Sequence, residues 1–119
     1  MKKLKILHLP IKKQWFDMIA AGIKTEEYRG FTDFYVSRLV NGKNNYLGLH
    51  SLIIYGGKVD WKEYDVVEFR NGYGKDVPMI QMEFKGVEVR GGNPEWGAIE
   101  GEEYFVIKLG KIVKGMVWT

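Results

Sequence analysis

From Asn41 onward, glycine clusters cut the chain into short runs, and that spacing constrains the fold more than any other feature. Asn41-Gly-Lys-Asn-Asn45, Gly56-Gly57, Asn71-Gly-Tyr-Gly74 and Gly91-Gly-Asn-Pro-Glu-Trp-Gly97 read as turns or loops. The runs between them read as strands. Leu47–Tyr55 is one candidate, and Asp65–Phe69, with Val66, Val67 and Phe69, is a stronger one. Met79–Val89 alternates, with Ile80, Met82, Phe84, Val87 and Val89 among polar residues, and Gly86 is a candidate bulge. Tyr104–Leu109 and Lys111–Val117 form a last hairpin or one bent strand. Short strands at this spacing favour an α+β chain built on a small β-barrel of about five to seven strands with two flanking helices.

The N-terminal part supplies those helices. Lys3–Leu9 alternates partly and ends at Pro10, which suits the first turn of a helix because its missing N–H has no partner there. Within Ile11–Ala21, residues Ile11, Trp15, Met18 and Ile19 share one apolar face, while Lys12, Lys13, Gln14 and Asp17 fill the other. Gly22 suits the position past the helix end. A second helix over Phe34–Val40 follows a cap at Thr32 or Asp33; Phe31, Tyr35 and Leu39 stand at fourfold spacing, and Arg38 shares a face with Tyr35.

Between the helices lies the densest chemistry in the chain, Gly22-Ile-Lys-Thr-Glu-Glu-Tyr-Arg29. Read as a strand over Ile23–Arg29, alternation puts Lys24, Glu26 and Tyr28 on one face and Ile23, Thr25, Glu27 and Arg29 on the other. Charge on both faces of a strand is expensive unless it is paired, hydrogen-bonded or beside water. The expectation is therefore a water-filled cleft with this strand on its wall.

Composition narrows the class. The 119 residues suit a single domain, and the absence of cysteine excludes disulfides, thiolate metal sites and cysteine nucleophiles and fits a cytoplasmic setting. With two histidines, His8 and His50, no metal site and no cofactor are expected. No apolar run approaches the length of a membrane span, and the start lacks the long apolar region and cleavage site of a signal peptide. Residues 1–43 hold nine Lys/Arg against four Asp/Glu, and residues 44–119 nine against eleven, so the positive charge sits with the dense stretch. That balance suits either a phosphate-bearing partner or ordinary surface lysines.

The order strand, helix, Gly22-Ile-Lys-Thr-Glu-Glu-Tyr-Arg29, then strands ending in Glu103-Tyr-Phe-Val-Ile-Lys-Leu-Gly110, resembles the ASCH domain family, whose barrel is related to the PUA domain. Trp15-Phe-Asp-Met-Ile19, Phe69-Arg-Asn-Gly-Tyr73 and Glu95-Trp-Gly97 add to the resemblance, which spans nearly the whole chain. The resemblance implies binding of RNA in a cleft beside the first helix. Some bacterial members deacylate N4-acetylcytidine with the lysine of this motif, a threonine three residues later and a glutamate from a later connection. Lys24 matches the lysine, Glu27 stands where the threonine would be, and Glu95 is the candidate for the glutamate. The resemblance thus implies the cleft more strongly than that reaction.

Physical chemistry gives each candidate two readings. Lys24 can hold a phosphate or act as a base, or pair with Glu26 or Glu27. Glu27 can accept from an exocyclic amine of a base, or hold Lys24 or Arg29. Arg29 and Arg38 offer forks for phosphate, or ion pairs with Glu26 or Asp33. Tyr28, Tyr35 and Tyr73 can stack on a base or pack in the core, and Tyr73, with Asn71 in a glycine turn, is expected to be exposed. His8 is expected to be structural, and Trp15, Trp61, Trp96 and Trp118 to serve packing. Three functions stay open: an RNA or modified-nucleotide binder, a hydrolase of an acylated cytidine-like nucleoside, and an interaction domain whose charges are structural pairs.

Overall fold

The fold is taken from a computed structural model that describes residues 3–74 and 76–116, with the backbone alone for Met116. Trp118 and the expected strand end at Val117 lie outside these residues. The elements are β1 (Ile6–Pro10), α1 (Lys13–Ala20), β2 (Glu26–Arg29), α2 (Asp33–Leu39), α3 (Tyr46–Ile54), β3 (Val66–Arg70), β4 (Met79–Arg90), a 3-10 turn (Pro94–Trp96) and β5 (Tyr104–Met116). The chain is α+β, with three α-helices and one mixed five-stranded sheet in the order β1-β3-β4-β5-β2. No helix among the described residues is long and apolar enough to cross a membrane.

Two expectations about the architecture are corrected. The strand count falls within the expected range, but the sheet order ends at β1 and β2, so it is open and not a closed barrel. Leu47–Tyr55 is a helix and not a strand, which gives three helices instead of two. A short apolar run fits either period. Here the Asn45 side chain accepts from the Gly48 N–H at 2.7 Å and starts a helix. Tyr46, Leu49, His50 and Ile53 then follow at helical spacing, and Gly56 ends the turn at a φ of 77°.

The described residues form two compact units. One comprises residues up to Glu27, Tyr64–Lys85 and the chain from Ile107; the other comprises Tyr28–Glu63 and Gly86–Val106.

In the first unit β1 runs parallel to β3, with Leu7 opposite Val67 and Leu9 opposite Phe69. β4 runs antiparallel to β3, with Met82 opposite Val67 and Ile80 opposite Phe69. Those six side chains share one face of the sheet and are buried, as are Phe16 and Ile19 of α1. The helix therefore buries Phe16 and Ile19, while the expected face residues Trp15 and Met18 are only half-buried. Pro10 is not in the helix. It closes β1, at the edge of the sheet, where a residue without an N–H is tolerated.

In the second unit Thr32, one of the two caps the sequence offered, accepts from the Tyr35 N–H at 3.3 Å at the start of α2, and Val36 and Leu39 are the buried residues of that helix. Asp33 accepts from the Tyr46 N–H at 2.7 Å, which ties the start of α2 to the start of α3. Phe105 of β5 is fully buried and meets Phe31 and Trp61 edge-on at 4.8 and 6.0 Å.

Candidate functional site

In the first unit the end of α1 places Lys24. Gly22, at a φ of 76°, reverses the chain, and the N–H groups of Ile23 and Lys24 both donate to the Met18 carbonyl, at 2.9 and 3.1 Å. The Thr25 carbonyl then accepts from the Leu109 N–H at 3.0 Å. The expected strand over Ile23–Arg29 is thus cut to Glu26–Arg29, and its assumed alternation fails at the start. Ile23 is 59% exposed, whereas Lys24 and Glu27, assigned from the sequence to opposite faces, meet.

The Lys24 ammonium donates to the Glu26 carbonyl at 2.6 Å and pairs with Glu27 Oε1 at 3.2 Å, with side-chain exposures of 0% and 8%. Its Nζ also stands 5.4 Å from the Trp15 ring centre. No described buried side-chain nitrogen or oxygen lacks a hydrogen-bond partner. This is a desolvated and satisfied ion pair, the kind that tolerates burial because each charge holds the other.

The same unit carries a second buried carboxylate. Glu68 lies on the other face of β3 from Val67 and Phe69, level with His8 on β1 and Gln81 on β4. Its Oε2 pairs with His8 Nδ1 and Arg70 Nε at 2.9 Å each, and its Oε1 accepts from Gln81 Nε2 at 2.9 Å. Burial pushes its pKa up, but the hydrogen bonds from Gln81, Arg70 and His8 outweigh that and hold it below the ordinary value of 4.5. His8 is structural, as expected. The sequence reading passed over Glu68, although a carboxylate inside Val66-Val67-Glu68-Phe69 was a signal that something must satisfy it. The Asn71 side chain donates to the Ile11 carbonyl at 3.0 Å. Tyr73, in the same turn, is 92% exposed.

In the second unit Arg29 and Arg38 join a cluster of rings on α2. Arg29 Nη1 donates to the Tyr35 hydroxyl at 2.6 Å, and its guanidinium lies 5.4 Å from that ring's centre. Tyr35 meets Phe34 edge-on at 5.1 Å, and the Arg38 guanidinium lies 4.7 Å from the Phe34 ring. The two adjoining rings of Tyr35 and Phe34 are thus flanked by a guanidinium at each end, Arg29 and Arg38. Phe34, which the sequence reading left out, is 53% exposed.

Tyr28 is half-buried. Its ring lies 5.7 Å from that of Tyr104, and its hydroxyl accepts from the Asn93 N–H at 2.9 Å. Asn93 in turn accepts from the Glu95 N–H at 2.9 Å, and Glu95 itself is exposed in the 3-10 turn. Trp61 lines a cavity of about 630 Å³ in this unit, together with Phe31, Tyr46, Leu49, His50 and Glu103 among others. None of the candidates named from the dense stretch is among its lining residues.

The structure therefore brings Lys24, Glu26 and Glu27 together in one unit, and Arg29, Tyr35 and Arg38 in the other. No protein-family model, no characterised protein and no solved structure matches the chain.

Proposed function

We propose that this protein binds single-stranded RNA or a modified nucleotide through the Arg29, Tyr35, Phe34 and Arg38 cluster. The carrying observation is that two guanidiniums, Arg29 of β2 and Arg38 of α2, flank two adjoining rings of α2, with Phe34 53% exposed. A single strand offers that pattern a phosphate for each guanidinium and a base for an open ring. The resemblance to the ASCH family and the positive balance of residues 1–43 support the same reading.

The test is binding of fluorescein-labelled mixed-sequence RNA followed by anisotropy. Two phosphate contacts on a single strand give a log–log salt slope of about −1.4, or about sevenfold weaker binding between about 50 and 200 mM salt. Arg38→Ala should weaken binding and reduce the slope by about 0.7. A slope unchanged by Arg38→Ala and Arg29→Ala, or no binding at low salt, removes this reading.

A second reading is favoured by one distance. Lys24 and Glu27 stand 3.2 Å apart, close enough to pass a proton between them, and because both are buried a substrate would have to open a path to them. Hydrolysis of an acylated cytidine-like nucleoside would use this pair. A screen of acylated nucleosides against wild type and Lys24→Ala decides it, and hydrolysis that survives the substitution excludes Lys24 chemistry.

A further inference from the structure

We propose that the cavity of the second unit is a binding site for a small organic amine, protonated and with an apolar body. Its volume of about 630 Å³ is of the size that takes small molecules. Aromatic rings form much of the lining. Phe31 and Tyr46 stack at 5.9 Å with planes 15° apart, Tyr46 and His50 at 5.5 Å and 28°, and Trp61 lines the same space. Ring faces carry the negative part of the quadrupole and attract cations.

Charge complementarity selects the ligand. Glu103 is the lining carboxylate, and no lysine or arginine lines the cavity. Among the described residues the Glu103 side chain has no ion-pair or hydrogen-bond partner. A phosphate or carboxylate ligand would meet a like charge with no cation to offset it, and a neutral hydrocarbon would leave Glu103 unused. A protonated amine meets both requirements, with its ammonium toward Glu103 and the ring faces and its body against the aliphatic side chains.

Helix α3 points the same way. Its sequence, Tyr46-Leu-Gly-Leu-His-Ser-Leu-Ile-Ile54, is apolar on nearly every side, yet only Leu49 is buried. A helix apolar all round is ordinarily covered. Ile53 and Ile54 are exposed and line this cavity, so a ligand body resting there would remove them from water. The site shares no residue with the Arg29–Arg38 cluster and does not rest on RNA binding.

Three probes that differ in the polar end test it: phenethylamine, 2-phenylethanol and 3-phenylpropanoate. Each is titrated into the protein while backbone amide shifts of Gly57, Val59 and Glu103 are followed by NMR. The expected result is saturable binding of phenethylamine about fivefold tighter than 2-phenylethanol, from cation–π attraction and Glu103 together. The carboxylate should not bind. Glu103→Gln, at an exposed position, should bring amine and alcohol to equal affinity, and Tyr46→Leu should weaken both. Equal binding of amine and alcohol to wild type overturns the proposal. So does a preference that survives Glu103→Gln, or amine binding that leaves the cavity residues unshifted.

Discussion

Replacing Lys24 with methionine tests the central feature of the first unit, a cation held inside the protein. Methionine matches the unbranched lysine stem, so packing is largely kept and the charge is what disappears. At 3.2 Å the gross attraction between Lys24 and Glu27 is about 5 kcal/mol at an effective dielectric constant of about 20. Desolvation offsets much of that in the intact pair, but not once one partner is gone. Removing one member of a buried pair costs about 3–5 kcal/mol because the other charge stays behind. Here the Glu26 carbonyl also loses its donor at 2.6 Å. With a urea slope of about 2 kcal/mol/M, a loss of about 4 kcal/mol moves the midpoint down by about 2 M. Whole-domain stabilities are about 5–15 kcal/mol, so the variant should still fold in water at the upper part of that range. The double variant Lys24→Met/Glu27→Leu removes both charges and should recover most of the loss. The reasoning fails if Lys24→Met costs under about 1 kcal/mol, as an exposed pair would. It fails equally if the double variant is no more stable than the single one.

Two further outcomes follow from local geometry. Glu68 has a folded pKa below 4.5, so its contribution to stability is complete above that value and is lost as pH falls through the lowered folded value. Urea midpoints measured from pH 7 down to about pH 3 should therefore decline, and Glu68→Gln should flatten that acid limb while costing stability at pH 7. A Cβ at position 92 would lie 2.5 Å from two ring atoms of Tyr28 and 2.9 Å from the Ala98 Cβ. Gly92→Ala should thus destabilise by about 1–3 kcal/mol; unchanged thermal unfolding would show that the Tyr28 ring yields freely.

Much of the local structure was legible in the chain. A cap at one of Thr32 or Asp33, a strand after Tyr104 as one of two readings, the glycine turns and the extent of β4 depend on neighbours within a few residues, where sequence carries the information. Leu47–Tyr55 was misread because a nine-residue apolar run satisfies both periods; the helix begins where the Gly48 N–H donates to the Asn45 side chain. The candidate site was read in part. That Lys24, Glu26 and Glu27 carry an unusual charge load was visible, but the face each occupies was not, because the strand begins at Glu26 and not at Ile23.

By itself, then, the sequence determined which segments turn, which carry an apolar stripe and where ionic groups are crowded, since each follows from short-range sterics and periodicity. Tertiary structure alone decided which charges are buried and how Glu68 is satisfied. The Met18 carbonyl fixes the turn that sends Lys24 inward to Glu27, and strands distant in sequence bring His8 and Gln81 level with Glu68. Lys24 finds its partners within three residues, whereas the partners that let Glu68 stay buried and charged come from other strands, which no local pattern specifies.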